Sequence, residues 1–256
     1  MNTFGRRKPS LLRHLAAAVL LLALAGVAQA APATAPFPHA GVLEYKIYMG
    51  EYTKGIALGR ARIQIESDGR NYRLRNQAEL IGLLKLFYQG VWIDQSRGRL
   101  GPDGTEPERY SEWRRTKPER WIGVDYDAKR VQVKAVPEGL ALRAGAQDRL
   151  SVLWYLGMIA RANPELVAAG KVFEVPLLSF RSINIARFES FGEQVLPTDS
   201  GPLRTLYLSY REKAEKPSGI EVWLGIEQQM QPVRIRYREG DSETFDMVLE
   251  RSKGPQ

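Results

Sequence analysis

Apolar and polar residues trade places one for one along most of the chain beyond residue 40. Leu43, Tyr45, Ile47 and Met49 alternate with Glu44, Lys46 and Tyr48. Ala61, Ile63 and Ile65 alternate with Arg60, Arg62, Gln64 and Glu66. Tyr72, Leu74, Asn76, Ala78 and Leu80 alternate with Arg73, Arg75, Gln77 and Glu79. Successive strand side chains point to opposite faces, so each run has one side to bury and one to wet. Residues 91–95, 121–126, 131–136, 180–191, 206–210, 220–226, 233–238 and 245–250 read as further strands. Turn residues separate several of them: Ser67-Asp68-Gly69, Pro102-Asp103-Gly104, Asp127-Ala128-Lys129 and Thr198-Asp199-Ser200-Gly201. Short connections favour antiparallel pairing. About ten such strands predict a mainly β protein: one large curved antiparallel sheet, a roll or an incomplete barrel.

One segment breaks the period. Leu150, Leu153, Trp154, Gly157 and Met158 recur at helical spacing, and Asp148 stands where an N-cap would. Asn163-Pro164 stops the helix, and Gly170 closes a further turn. The expectation is one central amphipathic helix packed on the concave side of the sheet.

The first thirty residues do not belong to this pattern. Arg6, Arg7, Lys8 and Arg13 precede an apolar run from residue 15 to 28, and Ala28-Gln29-Ala30 follows as an A-x-A site. That is the three-part form of a secretory signal peptide. The expectation is cleavage after Ala30 and a periplasmic protein without a transmembrane anchor. Four of the 37 basic residues lie in this segment and no acidic one does, so the net charge of +8 halves on its removal. What remains is no nucleic-acid footprint. Residues 31–40, rich in Pro and Ala, read as a disordered leader, and residues 41–252 as a single β-rich domain.

The residue types exclude much chemistry. The chain has no Cys and two His, His14 and His39. There is thus no thiol nucleophile, disulfide or zinc–thiolate site, and no cofactor or metal is expected. His14 leaves with the signal, and His39 falls in the leader, where nothing would hold a general base in place. Asp125 and Asp127 share a strand face at about 7 Å, within the carboxylate spacing of glycosidases, but Asp127 also suits a hairpin turn. Asp241, Glu243 and Asp246 read as a polar turn before they read as a cation site. Arg234, Arg236 and Arg238 line one face of a strand, with Val233, Ile235 and Tyr237 on the other. Guanidinium groups bind carboxylate and phosphate bidentately, although a charged outer face also keeps a sheet soluble. Arg114, Arg115, Lys117 and Arg120 lie between Trp113 and Trp121. Trp223 faces away from Val222 and Leu224, as a ligand-stacking residue or as core of a sheet buried on both faces.

Two stretches together resemble a known family. Gln147-Asp148-Arg149-Leu150-Ser151 is similar to the Q-D-x-L-S helix start of the DUF3108 family of exported bacterial proteins. Trp223-Leu224-Gly225-Ile226-Glu227, followed by Pro232-Val233-Arg234-Ile235, resembles its W-L-x-x-[DE]…P-V-[RK] ending. The family is of unknown function, so the resemblance implies an envelope address and a mostly β fold but no mechanism.

The function expected is a non-enzymatic periplasmic binding or accessory protein for an envelope component, a lipid or an acidic glycan. Arg234, Arg236, Arg238, Trp223, Gln147 and Asp148 are its candidate ligand-binding residues. A carboxylate-based glycan-acting enzyme and a protein-interaction scaffold are the alternatives. An apolar pocket with an arginine rim favours the first reading, two convergent buried carboxylates the second, and a filled core with a bare edge strand the third. The export expectation is checked by intact-mass measurement of protein from the cell envelope: the N-terminus should be Ala31, and a membrane-bound form retaining Met1 would overturn it.

Overall fold

The computed structural model describes residues 37–38, 40–82, 90–115, 117–199, 201–213, 216–239 and 243–254. The expected signal peptide, residues 31–36 of the expected leader, His39 and Asp241 lie outside them. Phe37 and Ala40 of the expected leader are part of the described fold. Phe37 is buried against Tyr72, with ring centroids 5.5 Å apart, and the first strand begins at Ala40.

Fourteen strands form one sheet among the described residues. They are β1 (Ala40–Met49), β2 (Ile56–Ser67), β3 (Asn71–Leu80), β4 (Val91–Gly101), β5 (Gly104–Arg114), β6 (Lys117–Asp125), β7 (Arg130–Val133) and β8 (Val136–Ala141). After the helix α1 (Ser151–Ala162) come β9 (Val172–Leu178), β10 (Ile183–Leu196), β11 (Leu203–Lys213), β12 (Lys216–Gly225), β13 (Gln231–Glu239) and β14 (Glu243–Lys253). The spatial order is β8-β7-β6-β5-β4-β3-β2-β1-β14-β13-β12-β11-β10-β9, antiparallel throughout. Two meanders, β1–β8 and β9–β14, are thus joined where the first strand pairs with the last. The sheet is not closed: β8 and β9 stand at its two ends, and the helix lies in the segment between them.

The inward sides of the alternating strands form the core. Leu43, Tyr45, Ile63, Leu74, Phe188, Leu208, Val222 and Ile235 are all buried, together with Val152, Leu153, Leu156 and Ile159 of α1. The central helix expected on the concave side is present, and its burial extends beyond one face. Nine of its twelve residues are buried, on every side of it. It packs on β5 of one meander and β13 of the other, which leaves Tyr155, Arg161 and Ala162 half-buried. Gly157 allows the closest approach: an added Cβ would lie 2.5 Å from the Met230 carbonyl oxygen. Among the described residues no helix is long and apolar enough to cross a membrane.

The dipeptide before the helix ties these parts together. The backbone of Gln147 pairs with the edge strand β9: its N–H donates to the Pro176 carbonyl and its carbonyl accepts from Leu178, both at 2.8 Å. Its side-chain amide meets Thr105 on β5, accepting from the hydroxyl and donating to the carbonyl, each at 2.6 Å. Asp148 caps the helix, although the regular turns begin at Ser151 and Leu150 offers no side-chain cap. Asp148 Oδ1 accepts from the N–H groups of Leu150 and Ser151 at 2.8 Å, and Ser151 Oγ accepts from the Asp148 N–H at 3.0 Å. This is a reciprocal capping arrangement. Asp148 Oδ2 accepts from Ser96 on β4 at 2.5 Å, and Ser96 lies 3.1 Å from the Tyr72 hydroxyl on β3.

Burial pushes the Asp148 pKa up from 3.8 to about 6, against the hydrogen bonds from Ser96, Ser151 and Leu150. A raised folded-state pKa gives stability that is fully present below about pH 4 and is lost as pH rises through about 6. Asp148→Asn keeps a capping oxygen and has no charge to bury. Between about pH 4 and 7 the wild type should lose roughly 1–3 kcal/mol that this variant retains. Asp148→Ala should be less stable than the Asn form at every pH, by about 0.5–2 kcal/mol. Urea unfolding across that range checks both, and the same pH dependence in wild type and the Asn variant would refute the assignment.

Candidate functional site

The outer face of the sheet holds the three arginines, and it corrects the view of them as either solvated or open to an anion. Arg234 is 5% exposed and bidentate to Asp246, with Nε to Oδ1 at 2.9 Å and a terminal amino group to Oδ2 at 2.6 Å. Arg236 donates to Glu221 at 3.0 Å and to Asp246 at 3.1 Å, and Arg238 Nε donates to Glu221 at 3.2 Å. The strands on either side of β13 supply these carboxylates. Burial alone would lower the Arg236 pKa, but Asp246 and Glu221 outweigh it and the pKa is raised. Asp246 is not a turn residue either. It is fully buried in β14 and also accepts from the Tyr52 N–H at 3.0 Å.

Trp223 is buried in a second, outer cluster with Leu196 and Val233. Its indole lies on Tyr207 at 4.5 Å and 9°, Tyr207 lies on Phe191 at 5.0 Å, and the Arg234 guanidinium covers Trp223 at 4.1 Å. The ladder therefore runs Phe191, Tyr207, Trp223, Arg234 across four strands, β10 to β13. Val233 departs from strict alternation. A bulge pairs Trp223 with Arg234 and Leu224 with Pro232, so Val233 is the extra residue and joins the outer cluster, away from Ile235. Gln147 and Asp148 are both fully buried in the architectural contacts described above. The six expected ligand residues thus fall into two groups, one on each side of the sheet.

The inner face carries the cavity that those residues did not predict. It has a volume of about 280 Å³. Ile47, Leu58, Ile63, Ala78 and Leu80 wall it on one side, Leu150 and Leu153 of the helix segment on another, and Ile235, Phe245 and Met247 on a third. One end is polar and is formed by Asn76, Trp92, Asp94, Tyr110, Arg114, Arg149 and Tyr237. Asp94 accepts from Trp92 Nε1 at 2.8 Å, Asn76 Nδ2 at 3.2 Å and the Tyr110 hydroxyl at 3.3 Å. Burial raises the Asp94 pKa, opposed chiefly by Arg149. Asn76 Oδ1 is buried with no donor among the described residues. Glu112, directly across from Asp94 on β5, is buried with Arg114 Nε and a terminal amino group of Arg120 each 2.8 Å from its Oε1. Arg114 and Arg120 of the expected basic cluster therefore meet a carboxylate as well. Asp125 is exposed and accepts from the Ala128 N–H at 2.8 Å, as a turn residue does.

A larger outer hollow of about 710 Å³ is lined by Lys46, Arg60, Arg62 and Arg251 interleaved with Glu44, Glu79, Asp199 and Glu250. Such interleaving favours neither sign of ligand. Among the described residues no cluster of three His, Asp or Glu gathers to hold a metal ion.

An open antiparallel sheet wrapped on a buried helix, with an apolar cavity between them, defines a barrel-like β protein. The chain belongs to the DUF3108 family, described as protein of unknown function, which matches residues 44–250. A beta-barrel-like protein of domain of unknown function DUF1849 from Brucella abortus is similar in structure, with TM-score 0.54 and 14% identity over 87% of this chain and 100% of that one. At that identity the likeness is one of fold. A putative outer membrane lipoprotein-sorting protein domain from Vibrio parahaemolyticus aligns over 85% of this chain and 86% of that one, at 6% identity and TM-score 0.27, too loosely to carry an argument. No curated protein matches the sequence.

The outer ion cluster sets a stability prediction. Removing one partner of a buried pair leaves a charge without compensation, so Asp246→Ala should cost about 3–5 kcal/mol. Replacing both partners with apolar residues, Arg234→Leu with Asp246→Leu, should recover more than half of that loss. Chemical denaturation measures both, and a loss below about 1 kcal/mol for Asp246→Ala would show the cluster to be solvent-screened like an exposed pair.

Proposed function

We propose that this protein is a non-enzymatic binding or accessory protein that holds the apolar part of a cell-envelope component in its inner cavity. The observation that carries the reading is the cavity itself. Ligand sites are concave, mostly apolar and furnished with a few convergent polar groups. This one has apolar walls from both meanders and from the helix segment, with its polar groups gathered at one end. A lipid chain matches that lining better than a glycan, which needs polar partners along its length. The periplasm as the place of action is part of the proposal. It rests on the basic n-region, the apolar run and the A-x-A site of the first thirty residues.

The enzymatic alternative has one observation in its favour: Asp94 and Glu112 are buried carboxylates directly opposite each other. Both are already engaged, Asp94 by three donors and Glu112 by two arginines, and Glu112 does not line the cavity. Binding is the better-supported reading.

The test uses a neutral apolar dye, N-phenyl-1-naphthylamine, and a cavity-filling variant, Ala78→Phe. Wild type should enhance the dye's fluorescence and release the dye to dodecanol. The variant should lose most of the enhancement while its melting temperature shows it folded. No enhancement by wild type, or equal enhancement by the folded variant, would overturn the reading.

A further inference from the structure

We propose that the occupant of the inner cavity carries an anionic headgroup, a carboxylate or a phosphate, held between Arg114 and Arg149 beside Trp92. This rests on the reading of the cavity as a binding site and adds the chemistry of the ligand's polar end.

The arginines converge on one ring. The Arg114 guanidinium stacks on Trp92 at 3.7 Å, and that of Arg149 lies 5.8 Å from the same ring and 4.4 Å from Tyr237. Both line the cavity, as do the two rings. Stacking against an aromatic face fixes a guanidinium in plane and leaves its edge for acceptors. Glu112 Oε1 lies 2.8 Å from Arg114 Nε, an ion-pair contact at one atom of the fork.

The charges around this end do not balance. Among the described residues at this end, Arg114, Arg120 and Arg149 face Asp94 and Glu112, three positive groups against two negative. Glu79 also borders the cavity, but strand alternation turns its side chain outward with Gln77, into the outer hollow. A monoanionic head neutralises the excess in a site whose apolar walls strengthen charge interactions. Two guanidinium forks supply the planar donors that carboxylate and phosphate oxygens take up. Asn76 Oδ1, a buried acceptor without a donor among the described residues, lies at the same end. A hydroxyl or a phosphate proton on the head would satisfy it.

The experiment compares four amphiphiles of one chain length, each displacing the neutral dye: dodecanoate, dodecyl phosphate, dodecanol and dodecyltrimethylammonium. The two anions should displace the dye at about tenfold lower concentration than dodecanol, and the cation should be the weakest. Arg114→Gln and Arg149→Gln should each cost the anions about tenfold and leave dodecanol unchanged, which also shows that the cavity is intact. The tighter of the two anions identifies the head, phosphate or carboxylate. Dodecanol equal to the anions, a preference for the cation, or arginine variants that weaken all four alike would overturn the anionic head while leaving the cavity reading in place. Failure of all four, dodecanol included, would overturn the cavity reading itself.

Discussion

A sheet of fourteen strands has to be held in its curve, and here a single glutamine does much of the holding. Gln147 uses its backbone as a short strand beside β9 and its side-chain amide as a substitute peptide group toward Thr105 on β5. One meander is thereby fastened to the other on the side where no strands pair. Asp148 then fastens the helix to β4 and β3 through Ser96 and Tyr72. The cavity depends on this arrangement, because Leu150 and Leu153 line it from the segment that these two residues fix. The Q-D pair that marks the family resemblance is thus explained by architecture, without any ligand.

The convex side uses charge for a related purpose. Over β10 to β13 the sheet is buried on both faces, by the helix and core within and by the Trp223 cluster without. Glu221 on β12 and Asp246 on the neighbouring β14 are buried on this face, and three arginines satisfy them, two of which, Arg234 and Arg236, cover Trp223. Stacked guanidiniums lose less hydration than ammonium groups would, which suits them to a half-dry surface.

Most of the strands were legible because their inward positions are apolar at period two, as in β1, β2 and β3. The helix and its stop at Asn163-Pro164 were legible from a change of period. Strands β5, β8 and β9 were not. On β5 the inward residues include Thr105, Tyr110 and Glu112, polar because they serve Gln147, Asp94 and the arginines. Strands β8 and β9 are edges that carry Pro137 and Pro176, residues that usually speak against a strand and are tolerated at an edge. The cavity went unread for a similar reason. Its polar end comes from β3, β4, β5, β13 and the residue before Leu150, and no local spacing joins Asn76 to Arg149. A polar Asn76 among the apolar positions of β3, and Asp94 and Ser96 facing inward on β4, were the available signals.

The seam between β1 and β14 has a bearing on how the chain acquires its shape. Within each meander, neighbours in space are neighbours in sequence, so hairpins close over short loops at little entropic cost. The seam and its reinforcement join distant parts: Tyr45 of β1 donates to the Pro232 carbonyl, 187 residues further on. Val42 pairs with Lys253, close to the last of the described residues. The N-terminal meander therefore keeps an open edge on β1 until the final strand has been made. Pairing of that edge is the long-range, slow part of folding, and until it happens β1 is an unprotected template for other chains.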